Sequence, residues 1–137
     1  MKELALQIAT KAHQGQIDKN GVDYIEHPKK VASMCQTDDE IIVALLHDVV
    51  EDTTVSLDDL RGYGFTEEIV DAVDCITKRA NEEYEHYLQR VKSSKLARIV
   101  KKYDMMHNSD ISRFANPTKE DIAKCEKYKT RMIELDK

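Results

Sequence analysis

An all-α single domain is what this sequence predicts, on three observations. Apolar residues recur every three or four positions nearly throughout. Only four Gly and two Pro punctuate the 137 residues. That length fits one domain, residues 1–137, able to bury a core without cross-links.

Seven or eight helices follow in order. Leu4, Ala5, Ile8, Ala9 and Ala12 line one face of the first, which gives way to a loop near Gly15 to Gly21. Pro28 can open a second helix carrying Val31, Ala32 and Cys35, and Thr37 with Glu40 has capping-box spacing for a third that runs from about Asp38 to Val50. Ser56 caps a short helix ending at Gly62 to Gly64, and Thr66 with Glu67 and Glu68 starts another bearing Ile69, Ala72, Val73 and Ile76. Tyr84, Tyr87, Leu88 and Val91 mark the next. A helix from about Ser94 to Ile111 places Leu96, Val100, Tyr103 and Ile111 on one face. Asn116-Pro117 opens the last, a packing helix over about 117–136 with Ile122, Cys125, Tyr128, Met132 and Leu135 inward.

Composition excludes several classes of function. Lys and Arg number 21 against 26 Asp and Glu, a net charge of −5, which leaves no electrostatic footprint for a nucleic acid polymer. A polyanionic substrate would need a metal or a few placed cations. The longest uncharged apolar run, Ile41 to Leu46, is far too short to span a bilayer, and the N-terminus opens directly into an amphipathic pattern, so no membrane partner is expected. Cys35, Cys75 and Cys125 are widely spaced in apolar helical stretches without a C-x-x-C pair. They read as reduced core residues and suit a cytoplasmic address.

The helical pattern breaks in an informative place. The third helix is apolar almost all round until it meets His47-Asp48-Val49-Val50-Glu51-Asp52. Either the helix ends at Leu46 and the acids are solvated, or they form a site, because a buried lone carboxylate costs several kcal/mol unless paired, protonated or metal-bound. A second intrusion favours the site. Asp104 lies four residues after Val100 and eight after Leu96, on the apolar stripe, with His107 and Asn108 one turn further on.

Ala44-Leu45-Leu46-His47-Asp48-Val49-Val50-Glu51-Asp52-Thr53 resembles the H-D-x-x-E-D signature of the RelA/SpoT-type alarmone hydrolases, a branch of the HD-domain phosphohydrolases. Upstream, Ala12-His13-Gln14-Gly15-Gln16 with Lys19, Gly21, Tyr24-Ile25 and His27-Pro28 is similar to their A-H-x-G-Q…Y-I-x-H-P block. Downstream, Val100-Lys101-Lys102-Tyr103-Asp104 with His107-Asn108 is similar to V-K-L-A-D-R-L-H-N. The likeness spans roughly residues 4 to 113.

The resemblance implies a compact HD-domain fold and one divalent metal held by His27, His47, Asp48 and Asp104. Such a mixed nitrogen and oxygen set suits manganese first, with iron, zinc or magnesium as alternatives. It implies that Glu51 and Asp52 activate the attacking water, with Glu51 as general base and Asp52 orienting it. Asn108 would contact a nucleotide, and Lys19 and Lys101 would neutralise phosphate. Tyr24 would either stack on a base or pack so as to position His27. His13, His86 and His107 are expected to be packing or hydrogen-bonding residues. The expected activity is hydrolysis of a nucleotide-like phosphate or pyrophosphate ester, with the 3′-pyrophosphate of ppGpp as one candidate. The alternative is a catalytically silent domain that senses a nucleotide or a protein partner. Asp18 departs from the family pattern: it stands where an Arg helps hold guanine, which predicts weak or base-indifferent guanine recognition.

Overall fold

The computed structural model describes residues 1–137. The chain runs α1 (Lys2–Ala12), α2 (Glu26–Met34), α3 (Asp38–Leu46), α4 (Val49–Asp52), α5 (Leu57–Gly62), α6 (Glu67–Ile76), α7 (Tyr84–Lys92), α8 (Lys95–Asn108) and α9 (Lys119–Asp136), with a 3₁₀ turn at Ile111–Arg113. Eight of the helices have six residues or more, and α4 is a single turn. There is no sheet, only an isolated antiparallel bridge between Ile17 and Asp23. No helix is long and apolar enough to cross a membrane.

Side-chain caps decide where most helices begin. Thr37, Ser56, Thr66, Ser94 and Thr118 each accept from the backbone N–H three residues on, satisfying a donor that the first helical turn leaves free. Ser56 with Asp59 and Thr118 with Asp121 complete reciprocal capping boxes. The last helix therefore starts at Lys119, behind its Thr118 cap, rather than at Pro117. α2 begins two residues before Pro28, which is tolerated because the missing proline N–H falls in the unbonded first turn.

α3 is the central element, packed against α1, α2, α6 and α8, with Val43, Ala44 and Leu46 fully buried. Being apolar on all sides follows from being surrounded. The third helix does not run through to Val50. It stops at Leu46, the chain turns at His47-Asp48, and α4 restarts at Val49. In an unbroken helix the Ala44 carbonyl would accept from the Asp48 N–H. Here the His47 ring nitrogen Nδ1 lies 2.5 Å from that carbonyl and takes it.

Two expected core positions are corrected. Ile111 lies on the 3₁₀ turn after α8 has ended at Asn108 and is 36% exposed, and Ile122 on α9 is 47% exposed. α9 buries Cys125 and Leu135 and leaves Tyr128 and Met132 half-buried. Its inward stripe is narrower than its apolar pattern suggests because α8 and the 3₁₀ turn are its main neighbours. The three cysteines are unpaired.

The candidate metal centre and its two clefts

Four side chains from three parts of the chain converge on one point. α2 brings His27 in its first turn, the break after α3 brings His47 and Asp48, and α8 brings Asp104. One ligand atom from each of these four residues lies within 4.8 Å of every other. His27 Nε2 is 2.7 Å from Asp104 Oδ1, and His47 Nε2 is 3.1 Å from Asp48 Oδ2 and 3.3 Å from Asp104 Oδ1. His27, His47 and Asp104 are buried, and Asp48 is half-buried.

The donor chemistry fits a divalent cation. With Nδ1–H given to the Ala44 carbonyl, His47 directs its Nε2 at the carboxylates. His27 Nδ1 lies 2.7 Å from His107 Nδ1, with the two rings stacked. Burial, then the Arg113 charge, pull His107 down to about 4, so His107 is neutral at pH 7 and can accept from His27 Nδ1–H. That leaves His27 Nε2 facing the acids. Tyr24 donates its hydroxyl to Asp48 Oδ2 at 2.5 Å. Each of these outer contacts fixes the orientation of a candidate ligand, as surrounding hydrogen bonds do in metal sites.

The charges interlock. Burial alone would lower the His47 pKa, but Asp48 and Asp104 outweigh it and hold the imidazole well above its usual range. Burial likewise opposes the charged form of Asp48, which the neighbouring His47 nonetheless pulls down to about 2. Asp104 is held well below the carboxylate range, against burial, first by Lys101 and then by the two histidines. Lys101 places Nζ 3.0 Å from Asp104 Oδ2 and 5.2 Å from the Tyr87 ring centre. Without a cation the acids rely on His47 and Lys101, so an entering ion must displace the His47 proton.

Two clefts flank the cluster. One opens on His27 and is walled by Tyr24, Asn108, Arg113, Phe114 and Tyr128, with Lys19 and Lys124 at its edge. The other opens on His47 and Asp48 and is lined by Glu51, Lys78, Lys101, Tyr84 and Arg131. Tyr128 borders both. Glu51 and Asp52 do not continue α3 but sit on α4. Glu51 accepts from the Lys78 backbone N–H at 2.8 Å. Burial, then the charges of Asp48 and Glu51, push Asp52 up to about 6. Gln16 ties the turn down, donating to the Asp52 carbonyl at 3.3 Å while its Oε1 meets His13 Nδ1 at 2.9 Å.

The remaining sequence candidates divide. Lys19 is exposed at the first cleft, 3.9 Å from Asp121. Asn108 directs its amide N–H to Asp104 Oδ1 at 3.2 Å, and Tyr24 is a hydrogen-bonding wall rather than a free platform. Lys78, whose pairing with Thr77 resembles the T-K near the family's nucleotide pocket, lines the second cleft, whereas Arg113, Lys124 and Arg131 were not singled out by sequence as cleft residues. Lys124, Tyr128 and Arg131 follow i, i+4, i+7 spacing on α9, a signal that marks one shared face.

A family model described as "HD domain" matches residues 5–106. The chain is 30% identical over 132 residues to a GTP pyrophosphokinase of Streptomyces coelicolor, which covers 87% of this chain and 16% of that one. It is 41% identical over 78 residues to the guanosine-3′,5′-bis(diphosphate) 3′-pyrophosphohydrolase of Borreliella burgdorferi, covering 54% of this chain and 12% of that one. The chain thus spans under a fifth of the length of these curated relatives. Its fold is also that of a solved metazoan ortholog of SpoT, described as hydrolysing ppGpp and acting in starvation responses. The TM-score is 0.80 at 22% identity, covering 98% of this chain and 84% of that one.

Proposed function

The chain belongs to the HD-domain family, and on that premise we propose that it is a metal-dependent phosphohydrolase acting on a nucleotide-like phosphate or pyrophosphate ester, with the 3′-pyrophosphate of ppGpp as the first substrate to try. The observation that carries this reading is the convergence of His27, His47, Asp48 and Asp104 within 4.8 Å, between two clefts. The relatives named as guanosine-3′,5′-bis(diphosphate) 3′-pyrophosphohydrolases support the choice of substrate class.

These four side chains would hold one divalent ion, for which the mixed nitrogen and oxygen donors favour manganese or another first-row metal. Such an ion supplies Lewis-acid activation of a phosphoryl oxygen and of water. The chain's own residues do the rest. Glu51, its carboxylate fixed by the Lys78 backbone N–H at the mouth of the second cleft, accepts the proton of the attacking water. Asp52 lies beside it as a second proton acceptor, titrating near neutrality. Lys78 and Arg131 give the second cleft its positive charge, so that phosphate oxygens have partners in a chain of net negative charge. Lys101 serves Asp104 before it serves substrate.

The test is turnover of purified protein with manganese on a panel of nucleotides, 3′-pyrophosphorylated ones included, with phosphate and pyrophosphate both detected. Release of either product above the rate of a His47→Ala control supports the reading. Nucleotide binding without release from any member would move the protein to the silent-sensor alternative.

A further inference from the structure

Asp18 stands in the sequence as a bare negative charge at the first cleft, but in the fold its carboxylate is occupied. Oδ1 accepts from the backbone N–H of Asn20 at 2.8 Å and of Val22 at 3.0 Å, closing the turn in which Gly21 takes φ +75°. Oδ2 faces Arg113 Nη2 at 3.5 Å. Arg113 in turn donates Nη1–H to the His107 carbonyl at 3.0 Å, where α8 ends. The guanidinium is therefore held at two points, one on the loop before α2 and one on the C-terminus of α8. Its side chain is 21% exposed and forms a wall of the cleft that opens on His27.

From this geometry we infer that Arg113 is the residue that takes the base of a nucleotide in the first cleft, offering the face of its guanidinium, and that Asp18 positions it. A guanidinium donates hydrogen bonds only in its own plane, and here both terminal nitrogens are directed at protein oxygens. With two of its five N–H groups directed at these oxygens the plane of the guanidinium is fixed, and the flat face it presents stacks on any nucleobase. The neighbouring aromatic walls, Phe114 and Tyr128, suit the same flat ligand. Face stacking does not read the edge of the base, so guanine and adenine are held about equally. Asp18→Arg, which from sequence would add a base clamp, instead sets two guanidinium groups against each other and removes the acceptor that closes the loop.

The inference depends on the phosphohydrolase reading only for the nucleotide nature of the ligand, and binding tests it without turnover. GMP and AMP are titrated calorimetrically into manganese-loaded wild type, Arg113→Ala, Arg113→Lys, Asp18→Asn and Asp18→Arg. Melting temperature and metal content report the integrity of each variant. Wild type binds both nucleotides with Kd values within a few-fold. Arg113→Ala and Arg113→Lys each weaken both by about tenfold, since lysine keeps the charge but lacks the plane. Asp18→Asn keeps the loop acceptor and weakens both by less, and Asp18→Arg weakens both. Unchanged affinity in a folded, metal-loaded Arg113→Lys protein overturns the inference, as does wild type binding neither nucleotide or preferring one strongly. If wild type binds both through Arg113 and hydrolyses no phosphate ester, the inference stands and the hydrolase reading falls. If it hydrolyses nucleotides while Arg113→Lys binds normally, the reverse holds.

Discussion

Replacing Lys101 with Met is expected to separate the metal-free protein from the metal-loaded one. The ammonium lies 3.0 Å from Asp104 Oδ2, an attraction of about 5 kcal/mol at an effective dielectric of about 20. Desolvation of the ammonium offsets part of that, and removing one member of a buried pair costs about 3 kcal/mol because the other is left uncompensated. Met keeps most of the apolar stem and gives up the ammonium with its place over the Tyr87 ring, 5.2 Å from the centre, so the loss is chiefly electrostatic. In metal-stripped protein the full ~3 kcal/mol appears as a lower denaturant midpoint. With an ion bound, Asp104 has another cation and the loss shrinks to about 1 kcal/mol. The cycle must close, so the variant binds metal about 30-fold more tightly, the ratio that the missing ~2 kcal/mol corresponds to. Urea melts of both proteins with chelator and with saturating manganese, together with direct metal titration, measure every side of the cycle. An equal loss in both forms, or weaker metal binding by the variant, would refute the reasoning that Lys101 stands in for the ion.

Other expectations follow from the same geometry. Tyr24→Phe removes the 2.5 Å hydrogen bond to Asp48 and is expected to weaken metal binding about tenfold, read by competition with a chromophoric chelator; unchanged affinity would show that the phenol does not orient Asp48. Glu51→Gln keeps shape and removes the proton acceptor, so metal content stays and turnover falls about 10²- to 10⁴-fold; wild-type turnover would pass the role to Asp52. Asp52 carries a carboxyl raised from 3.8 to about 6, first by burial, so the folded state binds its proton more tightly than the unfolded chain does. Its contribution to stability is complete below about pH 3.8 and is lost as pH rises through about 6. The shift corresponds to at most ~3 kcal/mol, and because the side chain is exposed and solvent screens it, Asp52→Asn should stabilise metal-stripped protein by only about 1 kcal/mol at pH 7.5. A variant less stable than wild type at that pH would contradict the sign.

The helix starts at Thr37, Ser56, Thr66 and Ser94 were legible because such caps act through bonds only three residues long, which sequence spacing displays, whereas at the last helix Pro117 drew attention from the Thr118 cap beside it. A helix end at Leu46 was one of the two readings the sequence allowed, but a break that still delivers His47 and Asp48 to the site was not legible, since it depends on a ring nitrogen reaching back to the Ala44 carbonyl, a choice the apolar pattern cannot encode. Ile111 and Ile122 misled for a similar reason: periodicity marks a face but not whether a neighbour covers it. At the candidate centre, Asp104 stood out because a carboxylate on an apolar stripe needs a partner wherever the partner comes from. Arg113 gave no such warning. It matters through an ion pair with Asp18, far away in sequence.

The metal content of the purified chain is the most direct test of the site. Manganese titrated into chelator-stripped wild type, His47→Ala and Asp104→Ala, with bound ion counted after dialysis, should give about one ion per chain in wild type and next to none in either variant. A folded wild type that retains no divalent ion at saturating manganese, or variants that retain as much as wild type, would contradict the assignment of His27, His47, Asp48 and Asp104 as the metal site.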